Sequence, residues 1–442
     1  MSKNMGFKDS PLGLIPDDWD IVNLGDVASS SISNSFVDGP FGSNLKTSEY
    51  TEKGVRIIQL QNIGDGYWND DNKKYISTTK FEQLKRHVAY PNDIAIAKMA
   101  EPLARACLIP DIDDKYVVVA DCIKLTPNLD EYNLNYLVNT INYSYFRQQA
   151  EKKGTGTTRL RINLSVLKTI LVIKPPRKEQ EKIAEILDKV DSAIALTEAL
   201  IKKLKQIKAG LLQDLLTRGL DDNGELRNPD THPEQFKDSP LGKIPISWEV
   251  VTIENIIHKV VGGGTPSRFI NSYWDGNIPW ASVKDFTDDK KFLEDTEEHI
   301  SSDGLFKSTS NLIESNTLII CTRMAVGRVA ITTKSIAINQ DLKALYLQSN
   351  IHVTFLFYAL KFIRYKIESV SIGSTVKGIN VEHLLKIYMN LPPLNEQEKI
   401  AKILDTQEKA IEKEEQYLKK LKQKKQGLMQ DLLTGKVRVN HL

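Results

Sequence analysis

Two hydrophobic periods alternate along this chain. Short apolar runs bounded by Gly, Pro, Asn and Asp read as strands. They are "VRIIQLQNI", "DIAIAKM", "YVVVADCIKL" and "KTILVIKPP" in one region and "NTLIICTRM", "RVAITT", "LKALYLQ" and "KIYMNLPP" in a later one. Each region also carries one amphipathic helical pattern, "EYNLNYLVNTINYSYFRQQAEKK" and "HVTFLFYALKFIRYKIES", so each is expected to be a compact α+β domain. Both regions then give way to heptads. Ile183, Leu187, Val190, Ile194, Thr197, Ile201, Leu204, Lys208, Leu211 and Leu215 step by four and three, and so do Ile400, Leu404, Gln407, Ile411, Glu414, Leu418, Leu421, Lys425, Leu428 and Leu432. Such seams predict two long helices, each about 55 Å, packed along an apolar stripe. Pro-Pro pairs at 175–176 and 392–393 permit the helix starts, and Gly219 and Gly435 mark the stops. Ile186, Ala193, Leu200 and Ile207 widen the first stripe. A two-helix pair leaves such residues partly exposed, so each helix is expected to meet another helix of the chain and also a partner protein.

The chain repeats itself. "FKDSPLGLIPDDW" begins at Phe7 and "FKDSPLGKIPISW" at Phe236, 229 positions on. "PPRKEQEKIAEILDKVDSAIALTEALIKKLKQIKAGLLQDLLT" from Pro175 recurs 217 positions on as "PPLNEQEKIAKILDTQEKAIEKEEQYLKKLKQKKQGLMQDLLT". Each half is thus a shared lead-in, a divergent middle and a shared tail: a tandem duplication whose frames stayed fixed. The expected segments are a first domain with its lead-in (1–174), a first long helix (175–218), a linker (219–235), a second domain (236–391), a second long helix (392–435) and a tail (436–442). "TRGLDDNGELRNPDTHPEQ" is rich in turn residues and reads as a connector rather than a core element.

Composition changes this picture little. The 442 residues suit about three domains, and 41% hydrophobic content suits sizeable cores. Net charge is +2, so any basic face must be local. Cys107, Cys122 and Cys321 lack metal-ligand spacing and fit a reducing compartment, and no apolar run reaches membrane-span length, so a cytoplasmic location is expected. Tools of catalysis do not emerge. "VVGGGTPS" lacks the lysine of a phosphate loop, and there is no H-E-x-x-H or Cys/His cluster. "NLPPL" and "IKPPR" do not fit the N-P-P-Y of adenine methyltransferases, because no aromatic follows the prolines. His87 and His383 have no visible partner and read as structural or surface residues, and no carboxylate pair repeats in both halves. What repeats is scaffold, which suggests two readers of two targets rather than one active site.

The ordered motifs carry a resemblance. They are the tryptophan and apolar strand after each lead-in, "GPFGSNLKTSEY…GVRIIQLQNIGDG", "GGGTPSRFINSYWDGNIPWASVKDF", "TRMAVGRVAI…AINQDL", "GTGTTRLRIN", "IGSTVKGIN" and both "PP…EQEKIA" helices. Together they resemble the specificity subunit of type I restriction–modification systems over almost the whole chain. The resemblance implies two target recognition domains, with two long helices packed antiparallel as a coiled coil between them. It implies a non-catalytic subunit that binds double-stranded DNA at a two-part site, one domain per half, with the helices setting the spacer. It also implies two modification subunits that methylate adenine with S-adenosylmethionine, and restriction subunits using ATP and Mg that cleave unmethylated DNA; no cofactor or metal belongs to this chain. A coiled-coil scaffold binding proteins but not DNA is the alternative from another class, and a nuclease with an unrecognised site is a third.

Given DNA as the target, Arg, Lys, Asn and Gln in loops are candidates for bases, and Lys, Arg, Ser and Thr for phosphates. "KKGTGTTRLRIN" offers Thr155, Thr157, Thr158, Arg159 and Arg161; the matched "SIGSTVKGIN" offers Ser374, Thr375 and Lys377. An ordinary helix-to-strand connector is the competing reading of both. The early loops offer Ser43, Asn44 and Lys46 against Thr265, Ser267 and Arg268, and the stretches that follow offer Gln59, Gln61 and Asn62 against Ser282 and Lys284. Aligning "AKMAEPLARA" with "CTRMAVGRVA" adds Lys98 opposite Arg323, and Arg105 and Arg328. Trp280 reads as core. Asn163 and Asn380 match across the halves and so read as structural, and "KKLKQKK" reads as a solvated helix face.

Overall fold

The computed structural model describes residues 6–40, 44–99, 101–288, 290–373 and 377–439. They fall into two compact units, Met1–Glu198 with Gln416–Leu442 and Ala199–Glu415. In the first unit an antiparallel sheet runs Ala106–Leu108, Ile94–Ala97, Cys122–Leu125, Phe36–Asp38. A second sheet runs Tyr50–Thr51, Tyr75–Ile76, Val55–Ile58, Tyr116–Val118, Val88–Ala89, with Val55–Ile58 and Tyr116–Val118 parallel. The second unit repeats the plan. One sheet runs Ile257–Gly262, Leu342–Leu347, Leu318–Cys321, Val329–Thr332, Phe292–Leu293; the other runs Glu298–Ile300, Ile278–Ala281, Ile336–Ile338, Asn311–Ile313, again with one parallel pair, Ile278–Ala281 and Ile336–Ile338. Ile94–Ala97 and Leu318–Cys321 are buried throughout, which is why they read as continuous apolar runs. "YVVVADCIKL" divides between the two sheets, turning at Asp121 with φ +68°.

Two expectations need correction. Each amphipathic pattern forms two helices, Leu134–Asn142 with Ser144–Lys153 and Val353–Phe362 with Arg364–Ser369. In the first unit Tyr143 is extended (ψ 155°), and the Asn142 amide donates both to the Val138 carbonyl of its own helix (2.9 Å) and to the Ala106 carbonyl (2.8 Å), and accepts from the Ala106 N–H (2.9 Å). The connector also contributes core: Leu220 is buried, and Arg227 Nη1 lies 2.7 Å from Glu396.

The repeated frame has a physical reason at each repeated residue. The lead-ins form hairpins, Phe7–Lys8 with Ile15–Pro16 and Phe236–Ser239 with Gly242–Pro245. The next strands, Asp20–Asn23 and Glu249–Thr252, pair with Leu171–Lys174 and Tyr388–Leu391, the strands that precede each Pro-Pro, so each domain is clasped at its two ends. The Gln of "EQE" ties the helix start to the domain. Gln180 donates to the Pro175 and Glu131 carbonyls and accepts from the Asn133 N–H; Gln397 donates to Pro392 and Asn350 and accepts from His352. The neighbouring carboxylate is equally employed. Buried Glu179 accepts from Trp19 and Arg438, and buried Glu396 from the Leu220 N–H and Arg227. These are carboxylates repeated in both halves, and their role is structural.

The long helices are Arg177–Thr217 and Leu394–Leu433. Their expected seam residues all turn inward: Ile183, Leu187, Ile201, Leu215, Ile400, Leu404, Ile411, Leu421 and Leu432 are buried and Val190, Ile194, Leu204, Leu211, Leu418 and Leu428 half-buried. Leu196, Leu200 and Ile207 remain exposed. Within the first unit Asp191 pairs with Lys425 (2.6 Å) and Glu198 with Lys422 (2.7 Å); within the second Lys208 pairs with Glu408 and Lys205 with Glu415 (2.7 Å). In each unit one number rises as the other falls, so the helical segments run antiparallel. The two sets are related by the 217-residue repeat, which explains the polar seam positions Lys208 and Lys425. Exposed ion pairs add little stability singly, but as a set they fix direction and register. Among the described residues no helix is long and apolar enough to cross a membrane.

Candidate nucleic-acid interface

In each domain the backbone brings several loops with described candidates together: Gly39 crosses at Val119 and Met99 bridges Arg161, and Gly263 crosses at Ile338 and Arg323 bridges Gly378. In the first domain the loop after Phe36–Asp38 crosses the 119–121 loop so closely that a Cβ on Gly39 would sit 2.1 Å from the Val119 carbonyl carbon; on Gly263 it would meet the Ile338 oxygen at 1.9 Å. Only glycine permits either crossing. Asn44 and Lys46 follow and are exposed; Ser43 lies outside the described residues. A cavity of about 170 Å³ opens between Pro40, Tyr50, Gln59, Gln61, Val119 and Ala120.

The stretches after Val55–Ile58 and Ile278–Ala281 form single 3₁₀ turns, Leu60–Asn62 and Val283–Asp285. Asn62 is fully buried: its Oδ1 accepts from the Gln59 N–H (2.9 Å), and its Nδ2 donates to the Asn69 (3.1 Å) and Asn72 (2.7 Å) carbonyls. Asp285 does the same work, accepting from the N–H groups of Ser282 (2.8 Å) and Glu297 (2.8 Å). Gln59 is held by Asn72 (2.8 Å), while Ser282 is half-buried and caps its own turn. The tips, Gln61 and Lys284, are exposed.

Arg105 and Arg328 brace these turns. Arg105 donates to the Ile63 (2.5 Å) and Leu60 (2.9 Å) carbonyls; Arg328 donates to the Phe286 carbonyl (3.0 Å) and pairs with Asp288 (3.3 Å). Both are half-buried and bonded to the protein. Asn62 and Lys98 likewise bond to the protein. Lys98 is 3% exposed and its Nζ is 2.8 Å from Asp38.

The match of Lys98 with Arg323 is also off by one residue. Lys98 N–H donates to the Asp121 carbonyl and its own carbonyl accepts from Ile162; Thr322 does the same with Asp341 and Ile379. The true counterpart of Arg323 is therefore Met99. Successive strand residues face opposite ways, so Lys98 points inward while the Arg323 side chain is 58% exposed, 3.5 Å from Asp341.

The late loops are closed alike. Thr155 and Arg161 exchange two backbone hydrogen bonds (both 2.9 Å), as do Ile372 and Gly378 (2.8 and 2.9 Å). Thr157, Thr158 and Arg159 are exposed at the first tip, and Arg161 pairs with Asp121 at its base. Ser374 and Thr375 lie outside the described residues; Lys377 is exposed. Thr265 is tied to Gln340 (2.6 Å) and Ser267 is exposed beside it. Arg268 lies 3.5 Å over the Trp274 ring and forks onto Glu298, whose carboxyl its hydrogen bond holds below the ordinary value. Trp280 is buried, donating to the Gly264 carbonyl (3.1 Å). Asn163 and Asn380 cap short helices.

Sequence reading missed the ion pairs Arg147–Asp65 and Arg364–Asp288, which tie a helix to the same turn region in each unit. Their signal was present: each residue has its counterpart in the other half. Among the described residues no three His, Cys, Asp or Glu stand together as a metal cluster. Burial pushes the Cys107 and Cys321 thiols up to about 12 and raises Cys122 further, so none is a poised nucleophile.

This duplicated plan has known relatives. The family described as "Type I restriction modification DNA specificity domain" matches residues 16–206 and again 245–423. The chain belongs to the type I restriction–modification DNA specificity family and carries its domain twice. It is 23% identical to the type I restriction enzyme MjaVIII specificity subunit of Methanocaldococcus jannaschii, over 100% of this chain and 98% of that protein. Among solved structures, the type I restriction–modification S subunit from M. genitalium matches with TM-score 0.55 at 15% identity, over 98% of this chain and 97% of that one. A chain solved in work on complex assembly and conformational transition of the type I R-M system matches with TM-score 0.56 at 16% identity, over 96% and 99%. At these identities the structural likeness speaks to the fold.

Proposed function

We propose that this chain reads double-stranded DNA for a type I restriction–modification complex in the cytoplasm. Each domain, 1–174 and 236–391, recognises one half of a two-part site. The long helices, 175–218 and 392–435, form an antiparallel coiled coil that sets the spacer and docks two modification subunits. Methyl transfer to adenine, with S-adenosylmethionine, belongs to those subunits. ATP- and Mg-dependent cleavage belongs to restriction subunits that join the complex, and this chain contributes no catalytic group.

One observation carries the reading. The braces of the two domains repeat, Gly39/Gly263, Asn62/Asp285, Arg105/Arg328 and Asp121/Asp341, each buried or half-buried, while the exposed tips differ. Two equal scaffolds presenting unequal side chains suit two different half-sites. The test is methylation by purified components. The chain with its modification subunits and S-adenosylmethionine should methylate adenine at one two-part site, and the chain alone should methylate and cut nothing. Transfer or cleavage by the chain alone would refute the reading, and so would a failure of the complex to bind duplex DNA in a salt-dependent way, the behaviour of a protein-binding scaffold.

A further inference from the structure

The geometry points to Gln61 and Lys284 as a matched pair of base-reading residues: Gln61 selects adenine in one half-site and Lys284 guanine in the other. This rests on the two-reader function proposed above and assigns its specificity to two positions. A side chain discriminates bases only if its Cα is held while its tip is free. Both turns meet that condition by the same means. Each follows a strand held in a parallel pair, Val55–Ile58 on Tyr116–Val118 and Ile278–Ala281 on Ile336–Ile338. Each is pinned from inside by the last residue of the turn, Asn62 or Asp285, and from behind by an arginine that reaches a backbone carbonyl 42 positions away, Arg105 to Ile63 or Arg328 to Phe286.

Within this braced turn the residue that is exposed, long and polar in both copies is the middle one, and it differs: Gln61 against Lys284. Gln61 stands at the cavity beside Gln59 and Tyr50, next to Ala120. Asp121 follows and pairs with Arg161 of the late loop, so Gln61 shares its edge with that loop. Lys284 lies 4.0 Å from the Glu297 carboxylate, and its side chain is 71% exposed. A glutamine amide offers one donor and one acceptor, matching N7 and N6 of adenine, whereas a lysine ammonium only donates and matches O6 and N7 of guanine.

The test presents purified complexes of the full chain and its modification subunits with a DNA library, and maps methylated adenines by sequencing. Gln61→Ala should relax one base position in one half-site by about tenfold to a hundredfold, leaving the other half-site unchanged. Lys284→Ala should do the same in the opposite half-site. Gln61→Lys should turn the relaxed position towards guanine, and Lys284→Gln should turn its position towards adenine. The unchanged half-site reports folding in every variant. Variants that keep the wild-type preference at every position, or that relax both half-sites together, overturn the assignment while leaving the two-reader function intact. A wild-type complex that finds no two-part site overturns both.

Discussion

Asn62 shows how little of a site a residue type reveals. In the sequence it is one of several polar residues suited to bases. In the fold it is buried, and all three of its hydrogen bonds are spent on the backbone. Removing the amide leaves an N–H and two carbonyls unpaired inside the domain, at a cost of about 1–3 kcal/mol. Asn62→Ala should therefore lower the urea midpoint of the first domain in the full chain, whereas Gln61→Ala, at the exposed tip of the same turn, should change stability by no more than about 0.5 kcal/mol. Equal midpoints for the two variants would show that the buried amide does not hold the turn. Lys98 teaches the same lesson through register: one position decides between a buried ion pair with Asp38 and an exposed side chain like Arg323. No apolar pattern marks that single step, because the flanking residues align only with gaps.

At the scale of elements, much was legible. Strands buried on both faces are written as unbroken apolar runs, and the helix seams as steps of four and three; Leu187 and Leu404 are both fully buried. The break at Tyr143 was not legible, since it arises from the bond of Asn142 to Ala106, a partner 36 positions away. Nor was the parallel pairing inside each domain. The seam supports a test of the helices as a spacer. Thr197 is a polar, buried seam residue whose hydroxyl bonds to the Ala193 carbonyl within its own helix. Four residues inserted after it add about 6 Å and advance the helix about 40° beyond a full turn, a stutter that a coiled coil can absorb by local unwinding. One DNA base pair adds about 3.4 Å and roughly 35°. The variant complex should methylate the same two half-sites with a spacer longer by about one or two base pairs; an active variant with the original spacer, or with changed half-site bases, would remove the helices from that role.

For the whole molecule, the duplication was the most legible feature and the division of labour the least. Repeated lead-ins and tails announce two frames, and the frames prove to be clasps: paired terminal strands, buried Trp19 and Trp248, and the Glu179 and Glu396 networks. The middles diverged in sequence yet share the order of their central strands, with one edge strand more or less in each sheet, and the bracing arginines. Long-range bonds to backbone carbonyls conserve that plan without conserving a pattern. The central claim is that two independent readers stand on one frame, and exchanging one reader tests it most directly. Residues 28–160 replaced by the corresponding middle of a relative, in complex with the modification subunits, should give methylated sites in which one half-site is new and the other half-site and the spacer are unchanged. A change in both halves of the site would contradict the account.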